Sequence, residues 1–363
     1  MNTRNLLVSI LMLVCVLLSA CTPAAPTRTP QRGLDAKEIG QIVSSTPSTV
    51  FPQKIHVSQD AMWYWFEECG CVMRFDPKSG KEVASIKVGD GKAGPYGNPK
   101  DMAIEGNVIW VTDAGHFAVV RISPATNQPA EQIPLEVTNA AGKTEQIQPF
   151  GLALDGKTLW VSDFDKNLVV RVDTETKKII ALIADIKNPE GIAIGSDAVW
   201  VVEHRSDSLV RIDPATNTIA AKVLIPTPEQ ATPNGRCGMC IDYVVATEEA
   251  VWVPLDLGNG VAQIDPGTNQ VSAVIPLDFS PRTLAVTENA IWAAGGLASP
   301  NCGKAPGGIA RIDPQKNAVI GTISIPCAAS VGIFEGDVWV GSGFPGDSMM
   351  TQVNPDSGVA SMR

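Results

Sequence analysis

A seven-bladed β-propeller built from four-stranded antiparallel blades is the all-β fold that this 363-residue sequence predicts. The main observation is a repeat of 40 to 52 residues, measured between successive tryptophans, each of which lies in or just after a short apolar run. Repeats of this length are typical of propeller blades. The tryptophans that mark the repeats are Trp63, Trp110, Trp160, Trp200, Trp252, Trp292 and Trp339.

Two further positions recur at a fixed distance in sequence from the tryptophans. Eleven residues before each one lie Pro52, Pro99, Pro149, Pro189, Ile241, Pro281 and Ala328. Thirteen residues after it, in five repeats, lie Asp76, Ser123, Asp173, Asp213 and Asp265, usually inside an Arg-Ile-Asp-Pro-like string. The other two repeats carry the string later, as Arg311-Ile312-Asp313-Pro314 and Gln352-Val353-Asn354-Pro355. A chance scatter of aromatic residues would not keep this register.

Residues 191–225 show the strands of one blade. Three short apolar runs, at 191–194, 198–202 and 208–212, are followed by a fourth at 218–225 after an Asp-Pro-Ala-Thr-Asn turn. Each run is too short for a helix and rich in β-branched residues. Four-stranded units bury their faces only against neighbouring units, which favours a propeller. The tryptophan falls in the second strand, so we expect it to fill the core between blades.

The N-terminus carries the features of an export signal. Arg4 precedes an apolar stretch at 6–18, and the following Leu18-Ser19-Ala20-Cys21 resembles the lipobox of bacterial lipoproteins. We therefore predict a signal peptide at 1–20, a lipidated Cys21 with a flexible tether at 21–45, and a propeller at 46–363. An uncleaved anchor is the alternative. Both place the propeller outside the cytoplasm, at the cell surface or in the periplasm.

The acidic composition argues against a nucleic-acid partner. The formal net charge is −10, and removal of residues 1–20 with Arg4 changes it to −11. Nucleic-acid binding requires clustered Lys and Arg, and the sequence has no basic run and no phosphate-binding glycine loop. We expect a monomer whose partner is a protein, a peptide, a glycan or a small molecule, with the membrane reached through the lipid anchor.

Six cysteines remain in the predicted exported domain, and an even number in an oxidising compartment suggests disulfides. All six fall in loops expected on one face of the propeller. Cys302 with Cys327 is the favoured pair, Cys237 with Cys240 is a second possibility, and Cys69 with Cys71 would need a tight, strained ring. The alternative is that Cys69-Gly-Cys71 and Cys237-Gly-Met-Cys240, with Met73 and Met239, bind copper or exchange thiols.

Ionisable side chains are expected on the same face. Asp113, Asp163 and Glu203 lie three residues after their tryptophans and are candidate ligands of a divalent cation. Glu203, His204 and His116 are the candidate catalytic residues. A structural role stays open, because an acid at a strand end often accepts hydrogen bonds from its own loop. His56, in the first strand of blade 1, is expected to be structural. The predicted binding face comprises Lys100, Asp113, His116, Phe150, Asp163, Glu190, Glu203, His204, Arg205, Asp242 and Arg282.

Several strings resemble a known superfamily. Pro189-Glu190-Gly191-Ile192-Ala193, Leu159-Trp160-Val161-Ser162-Asp163 and Val170-Arg171-Val172-Asp173 are similar to those of YVTN and NHL-type propellers and of the streptogramin lyase family. The resemblance covers residues 50–360 and implies a seven-bladed fold. For the lyases it also implies magnesium, histidines and glutamates on one face, with Glu203 at a matching position. The histidine expected in the Pro-x-Gly loop is replaced by Phe150 and Glu190, so the catalytic pattern is not matched.

Two functions follow from these observations. The first is a lipid-anchored propeller that binds a ligand or a protein partner through its loop-rich face, which includes insertions at 127–146 and 295–308. The alternative is a metal-dependent lyase or a lactone or ester hydrolase. The closure of the ring is also open, because residues 358–363 or residues 39–44 are suitable for the outermost strand of blade 7.

Overall fold

The computed structural model describes residues 39–66, 69–89, 99–138, 142–204, 206–226, 241–296, 307–344 and 347–355. All belong to a compact unit that spans Ala36–Arg363. The predicted signal peptide, Cys21 and most of the predicted tether lie outside the described residues. Within the described part, no helix has the length and apolar character needed to cross a membrane.

Seven four-stranded antiparallel sheets confirm the predicted blades. Blade 1 contains His56–Val57, Met62–Phe66, Cys71–Asp76 and Lys81–Lys87. Blade 2 contains Met102–Glu105, Val108–Asp113, Ala118–Ser123 and Gln128–Pro134. Blade 3 contains Leu152–Asp155, Thr158–Asp163, Leu168–Asp173 and Lys178–Ala184. Blade 4 contains Pro189–Gly195, Ala198–Glu203, Ser208–Asp213 and Thr218–Leu224.

The remaining blades follow the same order. Blade 5 contains Val245–Ala246, Val251–Leu255, Gly260–Asp265 and Gln270–Pro276. Blade 6 contains Pro281–Thr287, Ala290–Gly295, Gly308–Asp313 and Ala318–Ser324. Blade 7 contains Ala328–Phe334, Asp337–Phe344, Asp347–Asn354 and, from the start of the chain, Gln41–Ser48. A 3-10 helix, Ala114–His116, and a hairpin, Glu136–Thr138 with Thr144–Gln146, lie outside the blades.

The core lies between blades. The seven repeat tryptophans are at most 2% exposed, as the sequence predicts. Trp200 of blade 4, for example, belongs to one apolar cluster with Val253 and Leu255 of blade 5. The first strands of neighbouring blades contact one another around the whole ring, including blades 7 and 1. Each blade therefore completes its hydrophobic contacts with its neighbours.

The Arg-Ile-Asp-Pro string links adjacent blades. The guanidinium of Arg211 in blade 4 stacks on Trp200, with 5.6 Å to the ring centroid. It also donates hydrogen bonds to the Pro266 carbonyl and the Asn269 side chain of blade 5, at 3.0 and 3.2 Å. Arg74 and Arg171 make the same pair of contacts with the turns of blades 2 and 4. In blades 1, 3 and 4 the arginine of the repeat string therefore connects its blade to the next one.

The N-terminal strand closes the ring. Gln41–Ser48 pairs antiparallel with Asp347–Asn354 and becomes the outermost strand of blade 7. Of the two alternatives for closure, the structure has the N-terminal one; residues 358–363 lie outside the described part. The strand also begins inside the segment predicted as a tether, which places the start of the folded domain before residue 46. Its sequence, Gln-Ile-Val-Ser-Ser-Thr-Pro-Ser, carries no motif of the repeat and does not indicate its pairing partner.

Cys69 and Cys71 form a disulfide in the loop between the second and third strands of blade 1. Gly70, with φ at 60°, turns the chain and leaves the two Cα atoms 5.2 Å apart, a separation that a disulfide can bridge. The bond removes both thiolates from the copper alternative. Cys327 is also disulfide-bonded. Its favoured partner, Cys302, and the Cys237–Cys240 pair lie outside the described residues.

Candidate functional site

The seven segments that begin at the repeated proline position surround a cavity at the propeller axis; we call them the rim segments. They are residues 52–54, 99–101, 149–151, 189–191, 241–243, 281–283 and 328–330. The cavity has a volume of about 310 Å³. Its wall includes the second residue of every rim segment, namely Gln53, Lys100, Phe150, Glu190, Asp242, Arg282 and Ala329. The third residue contributes in six blades, with Lys54, Asp101, Gly151, Gly191, Tyr243 and Thr283. Phe51 and Trp65 complete the wall.

Neighbouring rim segments pack closely enough to require glycine at two positions. A Cβ atom on Gly151 would lie 1.9 Å from the carbonyl oxygen of Glu190, and one on Gly191 would lie 2.6 Å from that of Asp242. Ser162 Oγ joins two of the segments, because it accepts from the Gly151 amide at 2.7 Å and donates to the Glu190 carbonyl at 2.9 Å. The cavity wall is thus held by close packing at the two glycines and by the Ser162 hydroxyl, which connects blades 3 and 4.

A buried ion pair joins the rim segments of blades 1 and 2. Lys54 Nζ lies 2.7 Å from Asp101 Oδ1, and the two side chains are 17% and 5% exposed. Asp101 also accepts hydrogen bonds from the amides of Met102 and Leu152. Burial by itself lowers the pKa of Lys54, but the Asp101 carboxylate more than offsets it and the pKa is raised. Burial raises the pKa of Asp101, but Lys54 outweighs it and the pKa is lowered. Both groups therefore stay charged.

The Lys54 ammonium extends across the cavity toward blade 5. It lies 4.7 Å from the ring centroid of Tyr243 in blade 5 and 5.9 Å from that of Trp65 in blade 1. His56 Nε2 is 3.5 Å from Asp101 Oδ1. Burial, together with the Lys54 charge, lowers the pKa of His56, so its imidazole is neutral. This part of the cavity presents a fixed cation between aromatic rings.

Acidic groups lie at the rim segments of blades 4 and 5. Asp242 Oδ2 is 3.8 Å from Arg282 Nη2, and each side chain is 38% exposed, toward the cavity. The cavity walls desolvate the carboxyl and, with Glu190 nearby, raise the pKa of Asp242 to about 6. Glu190 Oε2 lies 3.0 Å from His204 Nδ1. Pairing with Glu190 raises the pKa of His204 in spite of burial.

An aromatic row connects the two charged regions. Lys100 Nζ lies 5.6 Å from the ring centroid of Phe150. Phe150 contacts Phe164 at 5.4 Å between centroids, and Phe164 lies 6.0 Å from His204. Aromatic walls beside charged groups suit ligands that offer both an apolar surface and polar atoms.

The three strand-end carboxylates do not line the cavity. Glu203 is fully buried, where its Oε1 accepts from the Lys187 amide at 2.8 Å and its Oε2 accepts from Ser208 Oγ at 2.5 Å and pairs with Lys222. Burial raises the pKa of Glu203, but these partners outweigh it and the pKa is lowered. Glu203 therefore stabilises its own blade.

Asp163 and Asp113 also accept hydrogen bonds from backbone amides. Asp163 accepts hydrogen bonds from the amides of Gln148 and Lys166, at 2.8 and 2.9 Å, and burial raises its pKa. Asp113 accepts from the His116 amide at the start of the 3-10 helix and pairs with His116 Nδ1 at 3.0 Å. No cluster of three potential metal ligands occurs among the described residues. The expected convergence of these acids on a shared cation site is not present there.

The predicted binding face is therefore divided. Lys100, Phe150, Glu190, Asp242 and Arg282 line the cavity, and His204 contacts it through Glu190. Asp113 and His116 lie instead in a separate cleft of about 520 Å³ beside blades 1 and 2. Arg205 lies outside the described residues.

Sequence reasoning missed Lys54, Asp101, Trp65 and Tyr243. The signal for three of them was the repeat register itself. Lys54, Asp101 and Tyr243 all lie two residues after the repeated proline position, next to the position from which Lys100, Glu190, Asp242 and Arg282 were predicted. Apart from glycine in blades 3 and 4, the residue type at that position differs in every blade, so the position does not stand out when the repeats are compared.

Comparisons with known proteins agree on the fold. No protein-family profile and no curated protein matches the sequence. Among solved structures, virginiamycin B lyase from Staphylococcus aureus is 15% identical, with a TM-score of 0.60 over 86% of this chain and 98% of that chain. Kuenenia stuttgartiensis hydrazine synthase is 15% identical, with a TM-score of 0.62 over 82% and 94%. The WD40 propeller domain of Doa1 is 8% identical, with a TM-score of 0.60 over 86% and 96%. Similarity at this level of identity concerns the fold alone, and the chain therefore has the fold of a seven-bladed β-propeller.

Proposed function

We propose that this protein is a lipid-anchored, extracytoplasmic β-propeller that binds a small polar ligand, or the end of a peptide or glycan, in its axial cavity. The supporting observation is that the second residue of all seven rim segments lines that one cavity. Seven rim segments on a rigid ring form a preorganised site, which lowers the entropic cost of binding. A volume of about 310 Å³ is at the lower end of ligand pockets, so one compact group fills it.

The charges in the cavity favour an amphoteric ligand. Lys54 and Lys100 offer ammonium groups to an anionic or acceptor group. Glu190 and Asp242, at the rim segments of blades 4 and 5, offer carboxylates to a cation or to a hydrogen-bond donor. A ligand with both kinds of group, such as an amino acid or a peptide terminus, satisfies both regions at once and gains specificity from their separation.

The alternative of a metal-dependent lyase or hydrolase has less support. Its candidate residues, Asp113, Asp163 and Glu203, already accept hydrogen bonds from their own loops. Proton transfer by Glu203 would also require a substrate to reach a side chain with no exposed surface. Binding in the cavity makes use of the side chains that are open to a ligand.

Membrane attachment through Cys21 is part of the proposal and is supported by the sequence. The apolar stretch 6–18 and the Leu-Ser-Ala-Cys string have the arrangement of a lipoprotein signal. The full-length chain, expressed in a bacterium, is expected in the membrane fraction, and a Cys21→Ala variant in the soluble fraction. Equal membrane recovery of both proteins would contradict lipidation at Cys21.

Ligand-detected NMR tests the cavity directly. The probes are free amino acids, dipeptides with free or blocked ends, and neutral and acidic monosaccharides. We expect saturation transfer to probes that carry both charges. The affinity of the protein for these probes is expected to fall at least tenfold in Lys100→Gln and in Glu190→Gln. Lys143→Gln, an exposed lysine outside the cavity, is the matched control and is expected to bind like the wild type. Failure of every probe to bind the wild-type domain would overturn the proposal.

A further inference from the structure

We propose that the Cys69–Cys71 disulfide is a thiol–disulfide exchange site that oxidises exposed dithiols of other polypeptides. This activity goes beyond the proposed ligand binding and uses a different part of the fold. The disulfide lies in the loop that connects the second and third strands of blade 1 and encloses a single residue, Gly70.

A structural role does not account for the bond. The stability that a disulfide supplies increases with the length of the loop that it closes, and this loop is among the shortest possible. Hydrogen bonds already hold the segment, because Cys71 is in register with Phe66 and Lys87 in the sheet and the Gly70 carbonyl accepts from the Val88 amide at 2.8 Å. Removing the bond leaves these contacts in place.

The two sulfurs differ in access. Cys69 is half-buried in the loop, whereas Cys71, at the start of the third strand, is 6% exposed. An incoming thiolate must approach a disulfide sulfur directly, so the accessible residue is the one attacked. Cys69 is therefore the electrophile and Cys71 the leaving group.

Lys87 is placed to assist the departure of Cys71. It lies directly opposite Cys71 in the antiparallel ladder, and paired residues share one face of the sheet. A nearby ammonium lowers the pKa of a thiol, and a thiol with a lower pKa leaves faster. The charge of Lys87 thus opposes the effect of burial, which by itself disfavours a thiolate.

The exchange balances with a dithiol as the reductant. A substrate thiolate attacks Cys69 Sγ, the Cys69–Cys71 bond breaks, and Cys71 leaves as a thiolate that takes up a proton. The second substrate thiol loses its proton and attacks the substrate sulfur of the mixed disulfide, which releases Cys69. The substrate loses two electrons and gains a disulfide, and the protein now holds two thiols. A small-molecule disulfide, such as oxidised glutathione, restores the protein.

Equilibration in glutathione buffers tests the site at residue resolution. The folded domain is incubated at a series of reduced-to-oxidised ratios, quenched with acid, alkylated and analysed by peptide mass spectrometry. We expect Cys69–Cys71 to be half reduced at a ratio at least tenfold more oxidising than the ratio that opens the Cys327 disulfide, while circular dichroism stays native. Opening of both bonds together, or only upon unfolding, would overturn the proposal.

Single variants test the assigned roles. In Cys71→Ser, the remaining Cys69 is expected to form a mixed disulfide with oxidised glutathione at least tenfold faster than Cys71 does in Cys69→Ser. Lys87→Gln is expected to slow reduction of the wild-type disulfide by about two- to threefold. Lys81→Gln is the matched control, since Lys81 begins the same strand opposite Asp76, and it is expected to have no effect. Equal rates in the two cysteine variants would contradict the attack at Cys69.

The catalytic readout is the oxidation of a synthetic dithiol peptide in the presence of oxidised glutathione. Wild-type protein is expected to accelerate disulfide formation above the uncatalysed rate, and a Cys69→Ala, Cys71→Ala double variant is not. This double variant is expected to fold, because the hydrogen bonds of the loop are retained. A folded double variant that is as active as the wild type would exclude this disulfide as the site.

Discussion

Lys54 and Asp101 form an ion pair of 2.7 Å across the boundary between blades 1 and 2, within the wall of the axial cavity. Asp101 also accepts a hydrogen bond from the amide of Leu152 in blade 3, at 3.1 Å. One carboxylate thus connects three consecutive blades at the axis and keeps the Lys54 ammonium inside the cavity. The same contact stabilises the ring and positions a candidate binding group.

Breaking this pair from one side is expected to be costly. Lys54→Met leaves Asp101 charged, buried and without its cation, which is expected to lower the free energy of unfolding by about 3 kcal/mol. Urea denaturation of the ligand-free domain measures the loss. The double variant Lys54→Met, Asp101→Asn is expected to lose less than the sum of the single variants, since the residues interact. Additive losses would show that the pair contributes no coupling.

The inter-blade arginines give a second stability prediction. Arg211→Ala removes a stacking contact with Trp200 and two hydrogen bonds to blade 5, with an expected loss of about 1–2 kcal/mol. Arg121→Ala is the matched control, because Arg121 holds the same position in blade 2 and is half exposed, 3.7 Å from Glu131. Thermal unfolding is expected to show a clearly smaller effect for Arg121→Ala. Similar effects would mean that the inter-blade contact is not the source of stability.

Much of the fold could be predicted because each repeated residue obeys a local physical requirement. Trp200 and its equivalents fill the space between sheets, and Asp213 turns the chain by accepting hydrogen bonds from the next residues. The closure of the ring could not be predicted, because pairing of Gln41–Ser48 with the last strands joins residues about 300 apart. Periodicity within a repeat carries no information on such long-range pairing.

The site was only partly predictable for a different reason. Glu190 and Asp242 share a position that repeats around the ring, and this register places them at the axis. Glu203 shares a register too, yet its carboxylate faces the Lys187 amide and Lys222 of its own blade. The register of the repeat gives the position of a residue along its strand. The direction in which its polar atoms point depends on hydrogen-bond partners that the sequence does not reveal.

The raised pKa of Asp242 predicts a pH dependence. The pKa of the Asp242 carboxyl is raised from its ordinary value of 3.8 to about 6 in the folded state. The folded state therefore binds the carboxyl proton more tightly than the unfolded state does. The contribution of Asp242 to stability is thus complete below pH 3.8 and is lost as the pH rises through about 6. Urea denaturation is expected to show that wild type loses more stability than Asp242→Asn over this range. NMR titration of the Asp242 carboxyl should give a midpoint near 6, and parallel pH profiles for the two proteins would contradict the assignment.

Ring closure by the N-terminal strand predicts that a short truncation has a large effect. A chain that begins at residue 49 lacks Gln41–Ser48, which leaves Asp347–Asn354 as an unpaired edge strand and removes the hydrogen bond from Ser48 to Glu82 of blade 1. We expect its melting temperature to fall by about 10 °C relative to a chain that begins at residue 39 and keeps the strand. A synthetic peptide of residues 39–50 is expected to restore part of the loss when added in excess, because it can occupy the vacant edge and bind only the folded state. Equal melting temperatures for the two chains would show that blade 7 is stable with three strands and that the ring does not depend on this pairing.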